Sequence, residues 1–297
     1  MTPREAGFLL LTCRLGNPER KVLTTAQLRT LSQRMRDFQM DDPDRDLVPE
    51  DLTALGFGQE MAQRIVALLE EEELLLRYLR RAQKAGCIPI SRVHPMYPVV
   101  LRQRLGEEAP GCLWAKGNLE ILSSRMISLV GSRDLNPKNA EFAREAGRQA
   151  ALQGYTLVSG NARGADKTAQ EACLAAGGRV ISIVADALEK HDFRENMLYL
   201  SEDAFDEEFS AQRALSRNRC IHALGERTLV AQASYQHGGT WDGTVKNLRF
   251  GWSPVFCFDD GSPAAKLLEE MGASPVGPDA MADLEALRGT EDNFLDR

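Results

Sequence analysis

The stretch Met126-Ile127-Ser128-Leu129-Val130-Gly131-Ser132-Arg133-Asp134-Leu135-Asn136-Pro137 decides the fold. Its first five residues read as a buried strand, Gly131-Ser132-Arg133 as a tight loop, and Asn136-Pro137 as the start of a helix carrying Phe142, Ala143 and Ala146. The same rhythm returns downstream. Tyr155–Val158 reads as a strand, residues 159–164 as a loop, Ala165–Leu174 as a helix and Arg179–Val184 as a further strand. Strands alternating with helices predict an α/β fold with a mostly parallel sheet.

The loops at these strand ends carry the functional signal. Gly131 permits a tight turn and close approach of a ligand, Ser132 can donate a hydrogen bond, and Arg133 can make a charge-assisted contact with phosphate. Ser159-Gly160-Asn161-Ala162-Arg163-Gly164 repeats the logic, ahead of a helix N-terminus that favours anions. Asp166 reads as a cap or a loop brace. Two such loops at successive strand ends point to phosphate or nucleotide binding. Neither the phosphate-loop pattern G-x-x-x-x-G-K-[ST] nor G-x-G-x-x-G follows a strand, so ATP hydrolysis and hydride transfer lack their machinery. Further on, residues 216–224 join a basic patch to a helix, where Arg217 and Arg219 face a groove and Asn218 braces the loops or contacts the ligand. Residues 228–233 resume strand character. His237-Gly238-Gly239-Thr240 then reads as a flexible turn, with Thr240 a phosphate donor or a cap for the next helix.

The 297 residues suggest about two domains, and 43% hydrophobic with 27% charged residues is ordinary globular composition. A net charge of −7 argues against a protein coated for wrapping nucleic acid, although a local basic groove stays open. Residues 1–125 are close to neutral, with 18 basic and 17 acidic side chains, so the acidic excess lies in the remainder, with 18 and 26. Any phosphate site there must come from a few arginines and backbone amides working against the overall field. Six scattered cysteines without a C-x-x-C pair fit buried thiols in a reducing compartment. The apolar run Phe8–Leu11 has no adequate basic leader and is too short to span a bilayer, so a cytoplasmic protein without membrane contact is expected.

Residues 1–85 read as a helical domain. Residues 41–49 form an acidic, proline-containing connector, and Asp51–Gly58 with Met61, Ile65 and Leu68 resembles a helix-hairpin-helix of the SAM-like kind. Without basic company, that turn reads as a compact junction rather than a DNA contact. Residues 86–125, punctuated by Pro89, Pro95, Pro98 and Pro110, read as a docking linker and extension of the core. The core itself is expected over 126–273 and a short C-terminal tail over 274–297.

Together, Tyr97-Pro98, Leu113-Trp114-Ala115-Lys116-Gly117-Asn118, Val130-Gly131-Ser132-Arg133, Ser159–Asp166 and Arg217-Asn218-Arg219 followed by Ile221 resemble, in composition and order, the bacterial DNA-processing protein A family, also called Smf, over about residues 50–260. The resemblance implies an extended Rossmann-like, mostly parallel sheet with an N-terminal helical domain. It also implies sequence-nonspecific binding and protection of single-stranded DNA, with loading of the RecA recombinase during DNA uptake and recombination; a homodimer is left open. Carried over, the phosphate-binding positions are Gly131, Ser132, Arg133, Gly160, Arg163, Gly164, Lys167, Asn218 and Arg219, with Gly238, Gly239 and Thr240 as loop contacts. The family's Ala-His after the second loop reads Ala169-Gln170 here. Its Tyr-Pro ahead of an Asn reads Phe193-Arg194 before Asn196, which offers Phe193 for base stacking.

No catalytic residue is expected, and no cofactor or metal: His94, His191, His222 and His237 are dispersed, and no serine has an evident base. The rival to DNA binding is a nucleotide-derivative sensor or nucleotide hydrolase using the same loops. A third class is an interaction protein whose helices dock a partner on a scaffolding core.

Overall fold

The computed structural model describes residues 1–36, 38, 45–202 and 204–287. Five helices open it: α1 (Pro3–Thr12), α2 (Thr25–Arg34), α3 (Pro49–Ala54), α4 (Gln59–Leu69) and α5 (Glu72–Lys84). There follow β1 (Ile88–Ser91), α6 (Val99–Leu105), β2 (Cys112–Gly117), β3 (Met126–Val130), α7 (Pro137–Leu152), β4 (Thr156–Ser159), α8 (Ala165–Ala175), β5 (Arg179–Ile183) and β6 (Met197–Glu202). The last part holds α9 (Ala211–Ser216), α10 (Asn218–Leu224), β7 (Thr228–Val230), α11 (Gly238–Phe250), β8 (Val255–Phe258), α12 (Pro263–Glu270) and β9 (Ser274–Val276).

Among the described residues the strands form one sheet in the order β1-β2-β6-β5-β4-β3-β7-β8-β9. The seven strands from β6 to β9 in that order run parallel, while β1 and β2 add antiparallel at one edge. The chain winds outward from β3 through β4 and β5 to β6. It then returns to the other side of β3 and winds outward through β7, β8 and β9. Keeping both sets of crossovers right-handed requires their helices on opposite faces, and that is where they lie: α7 and α8 on one, α10, α11 and α12 on the other.

The central strands are mostly apolar because both faces are covered. Successive residues alternate between two cores, Ile127 and Leu129 facing Phe142, Ala146 and Ala169, and Met126 and Val130 facing Ile221, Ala223 and Leu268. Ser128, polar and fully buried in the middle of β3, donates to the Ile221 carbonyl and accepts from the Gly225 amide.

The helical front end is less separate than its composition suggests. Leu11, Leu23, Leu31, Leu52 and Ile65 make a core of their own, but Leu9, Leu10, Leu75 and Tyr78 belong to the core of the sheet. Tyr78, Trp114 and Phe205 pack with centroids 4.9–5.3 Å apart, and the Tyr78 hydroxyl and Arg81 donate to the two Asp206 carboxylate oxygens at 2.6 and 2.7 Å. In the α3–α4 turn the Phe57 ring lies under the Arg34 guanidinium, 4.4 Å from the ring centroid, while Gly56 and Gly58 are exposed. The stretch read as a linker contains β1 and β2. Likewise, the tail expected from residue 274 begins as β9 and continues into a short 3-10 turn at Pro278–Ala282, with residues 288–297 outside the described residues. The acidic connector is described only from residue 45. All six cysteines are buried thiols outside any disulfide. Among the described residues no helix is long and apolar enough to cross a membrane.

His222 in α10 makes the fold acid-sensitive. Its imidazole is fully buried, Nδ1 accepts from Asn247 at 3.2 Å, and burial pushes its pKa down to about 3. Between the unfolded value near 6.5 and about 3 the unfolded chain binds the extra proton, so stability is complete above that window and falls as pH drops through it. Urea unfolding is expected to show the wild type losing about 1 kcal/mol more than His222→Gln between pH 7 and pH 5.5. Equal losses would place the acid sensitivity elsewhere.

Candidate nucleic-acid interface

Two adjoining crevices open at the C-terminal ends of β3, β4 and β7, where the winding direction reverses. The first, about 380 Å³, is lined by Gly131, Ser132, Arg133, Arg217, Asn218 and the start of α11. The second, about 330 Å³, is lined by Gly160, Arg163, Asp186 and Phe209. Arg133, Ala162 and Arg217 border both. In parallel α/β sheets the strand ends beside such a reversal form the natural ligand crevice.

The loops hold each other in shape. Ser132 donates its amide to the Gln232 carbonyl at 2.9 Å, while the Gln232 side chain accepts from the Asn136 amide and donates to the Asp134 carbonyl. The Ser132 hydroxyl accepts from the Asp134 amide at 3.2 Å, leaving its proton to donate. Asp166 is the loop brace, its carboxylate accepting from the Gly160 and Ala162 amides at 3.1 Å. Burial holds its carboxyl above the usual carboxylate range, with Arg217 and those amides opposing that only in part. Gln170, where the family resemblance led to a histidine, donates to Ser159 at 2.5 Å and ties α8 to β4.

The loop glycines are spaces for protein rather than for ligand. A Cβ on Gly131 would collide with Ala165, one on Gly164 with the carbonyls of Ser132 and Arg133, and one on Gly160 with the Arg217 guanidinium. The last collision is with a movable side chain. Gly160→Ala is therefore expected to stay folded, with a midpoint within a few degrees of wild type, while displacing Arg217 and weakening anion binding about tenfold. A large fall in thermal midpoint would show instead that the niche is rigid.

Arg217 is the centre of the arrangement. It is only 7% exposed, and its Nε and Nη1 have no hydrogen-bond partner among the described residues. Desolvation weakens its hold on its proton and Asp166 opposes that. A guanidinium enclosed with donors unmet is costly unless an anion from outside the chain completes it.

Backbone donors add to the charge. Helix α11 begins at Gly238 with no side chain capping it, and Gly238, Gly239 and Thr240 line the first crevice, so its orphan amides and positive end meet there. By contrast, the α8 N-terminus expected to hold an anion is partly spent, because the Ala165 amide donates to Ser132 and the Lys167 amide to Ala162.

A family model described as DNA recombination-mediator protein A matches residues 89–247, more than half of the chain. The chain belongs to this family. DNA processing protein DprA of Bacillus subtilis is 29% identical over 169 residues, which cover 53% of this chain and 56% of that protein; the chain thus matches just over half the length of this relative. The X-ray structure of DNA processing protein A from Streptococcus pneumoniae superposes with a TM-score of 0.70, covering 97% of this chain and 99% of that one at 24% identity. DNA processing protein A of Helicobacter pylori, solved for its single-stranded DNA binding mode, gives 0.53 at 21% identity over 64% of this chain and 90% of that one. At these identities the two structures establish likeness of fold.

The anticipated site residues divide. Ser132, Arg133, Asn218, Gly238, Gly239 and Thr240 meet in the first crevice and Gly160 and Arg163 in the second. Arg163 is at the rim, paired at 3.0 Å with Asp134. Arg219 is not in either: two residues beyond Arg217 on a helix it points elsewhere, held by Glu202 at 2.7 Å and by the Glu108 and Ser216 carbonyls. Lys167, exposed one turn into α8, and Phe193, 67% exposed on the 191–196 loop, also line neither. The stretch read as a flexible turn at 238–240 is the first turn of α11, and Thr240 sits inside the helix rather than capping it. Asn218 braces α11, donating to the Gly239 carbonyl at 3.0 Å. Gln232 and Phe209 went unforeseen; only the arginine-rich run signalled Arg217. Among the described residues no group of three or more His, Cys, Asp or Glu is placed to hold a metal ion.

Proposed function

We propose that the chain is a Rossmann-like, non-enzymatic binder of single-stranded DNA that grips the phosphodiester backbone across the two crevices. The observation that carries this is the enclosed, unpartnered Arg217 guanidinium at their shared border. The Ser132 hydroxyl, Arg133 and the first amides of α11 supply further donors, and exposed Phe209 in the second crevice offers the stacking face once expected of Phe193. Two cradles sharing Arg133 and Arg217 suit successive phosphates of a polymer better than one nucleotide. Backbone contacts give little sequence preference, and counterion release makes binding weaken with salt. The Helicobacter relative is described by its single-stranded DNA binding mode, which favours the same ligand. Protection of the strand and its transfer to the RecA recombinase, by a monomer or a homodimer, are the recombination steps such binding serves.

The test compares a single-stranded oligonucleotide, the matching duplex and mononucleotides across salt. Preference for the single-stranded polymer, weakening with salt, is expected. Saturable mononucleotide binding without gain from a longer strand would favour a nucleotide sensor instead.

A further inference from the structure

Helix α11 carries one of its faces out of the first crevice and along a third depression. Gly239, Gly243, Lys246 and Phe250 follow one another at spacings of four, three and four, so they share that face. Gly239 lines the first crevice, and Gly243 lets α10 pack close, since a Cβ there would lie 3.1 Å from His222 Nε2. Lys246 then lines an open groove of about 550 Å³ together with Gln212, Ser216 and Trp252. Leu215 borders both the first crevice and this groove, so the two adjoin.

Beyond Lys246 stands an aromatic ledge. Phe250 is 56% exposed and stacks on buried Trp252, with centroids 5.7 Å apart and planes 18° from parallel, and the Arg249 guanidinium lies 5.4 Å from the Phe250 centroid. The same lining carries Glu107, paired with Arg29, Glu108, and Arg219, whose guanidinium is held by Glu202 and the Ser216 and Glu108 carbonyls. With Arg219 engaged by Glu202, the exposed Lys246 on α11 is the lining cation left to meet a phosphate. From Gly239 to Phe250 the helix rises about 16 Å, the length of roughly five stacked nucleotides.

Resting on the single-strand reading of the crevices, we infer that this groove takes the next nucleotides of the same strand, a phosphate on Lys246 and a base face on Phe250. A cation followed by an exposed ring held flat by a second ring is the combination that binds single strands without sequence preference. Continuity through Leu215 gives the strand its path.

Fluorescence anisotropy of the full chain tests this with labelled oligothymidylates of about six and about fifteen nucleotides. In the double variant Lys246→Ala, Phe250→Ala, the longer oligonucleotide is expected to bind about 30-fold more weakly and the shorter one within twofold of wild type, with the salt slope for the longer one falling by about 0.7. Unchanged binding of the longer oligonucleotide, in a protein whose binding is lost with Arg217→Met, would overturn the groove while leaving the crevices intact. An equal loss for both lengths would also overturn it, by making the two side chains structural. A wild type that binds neither oligonucleotide would overturn the crevice reading itself.

Discussion

The Arg217→Met variant is expected to fold as the wild type does and to bind single-stranded oligonucleotide about 100-fold more weakly, a loss of about 3 kcal/mol. The two halves of this expectation share one cause. The Arg217 guanidinium is enclosed between the loops with Nε and Nη1 unpartnered among the described residues. In the free protein those donors contribute nothing to stability, and a methionine of similar length fills the niche without unmet polar groups. Asp166 keeps its two amide hydrogen bonds in the variant and loses only an opposing charge. In the complex the same donors meet phosphate, and a charge-assisted contact sheltered from water is the strongest kind available there. Arg217→Lys keeps the charge but not the planar fork, so it is expected to fall between the two. Thermal denaturation and anisotropy on the same preparations read out both quantities. A variant that loses stability and keeps affinity would reverse the assignment.

Gly164→Ala has the largest expected effect on stability, about 4 kcal/mol, or a fall of about 6 °C in the unfolding midpoint. Gly164 ends the second loop at φ +79° and ψ −126°, a conformation that side-chain-bearing residues rarely adopt. A Cβ there would also strike the Ser132 and Arg133 carbonyls of the first loop, which are backbone and cannot swing away. The loops must part, and the Ala165 amide must release the Ser132 carbonyl it holds at 3.1 Å. The contrast with Gly160, where the obstacle is a side chain, is the check on this account: the Gly164 variant should lose stability and the Gly160 variant mainly affinity.

The parallel core was legible because β3, β4 and β5 are buried on both faces, and such strands appear in sequence as short, mostly apolar runs beside loops of small and polar residues. The same logic failed at the edges. The strands β1 and β2 were hidden by the prolines around them, and β9 by its brevity and its own Pro275. Helix α11 was obscured because Gly238 and Gly239, poor helix formers, open it. At the site, the run Arg217-Asn218-Arg219 announced a cation without saying which, since residues two apart on a helix face different ways and only packing chose Arg217. The choice between Phe193 and Phe209 was likewise a matter of tertiary placement.

The central claim is that a backbone phosphate completes the Arg217 guanidinium. A crystal structure of the chain with a short single-stranded oligonucleotide tests it most directly. A phosphate oxygen within about 3 Å of an Arg217 guanidinium nitrogen, with the strand running through both crevices, is the predicted result. A strand bound on another surface, with the Arg217 donors still unmet, would contradict it.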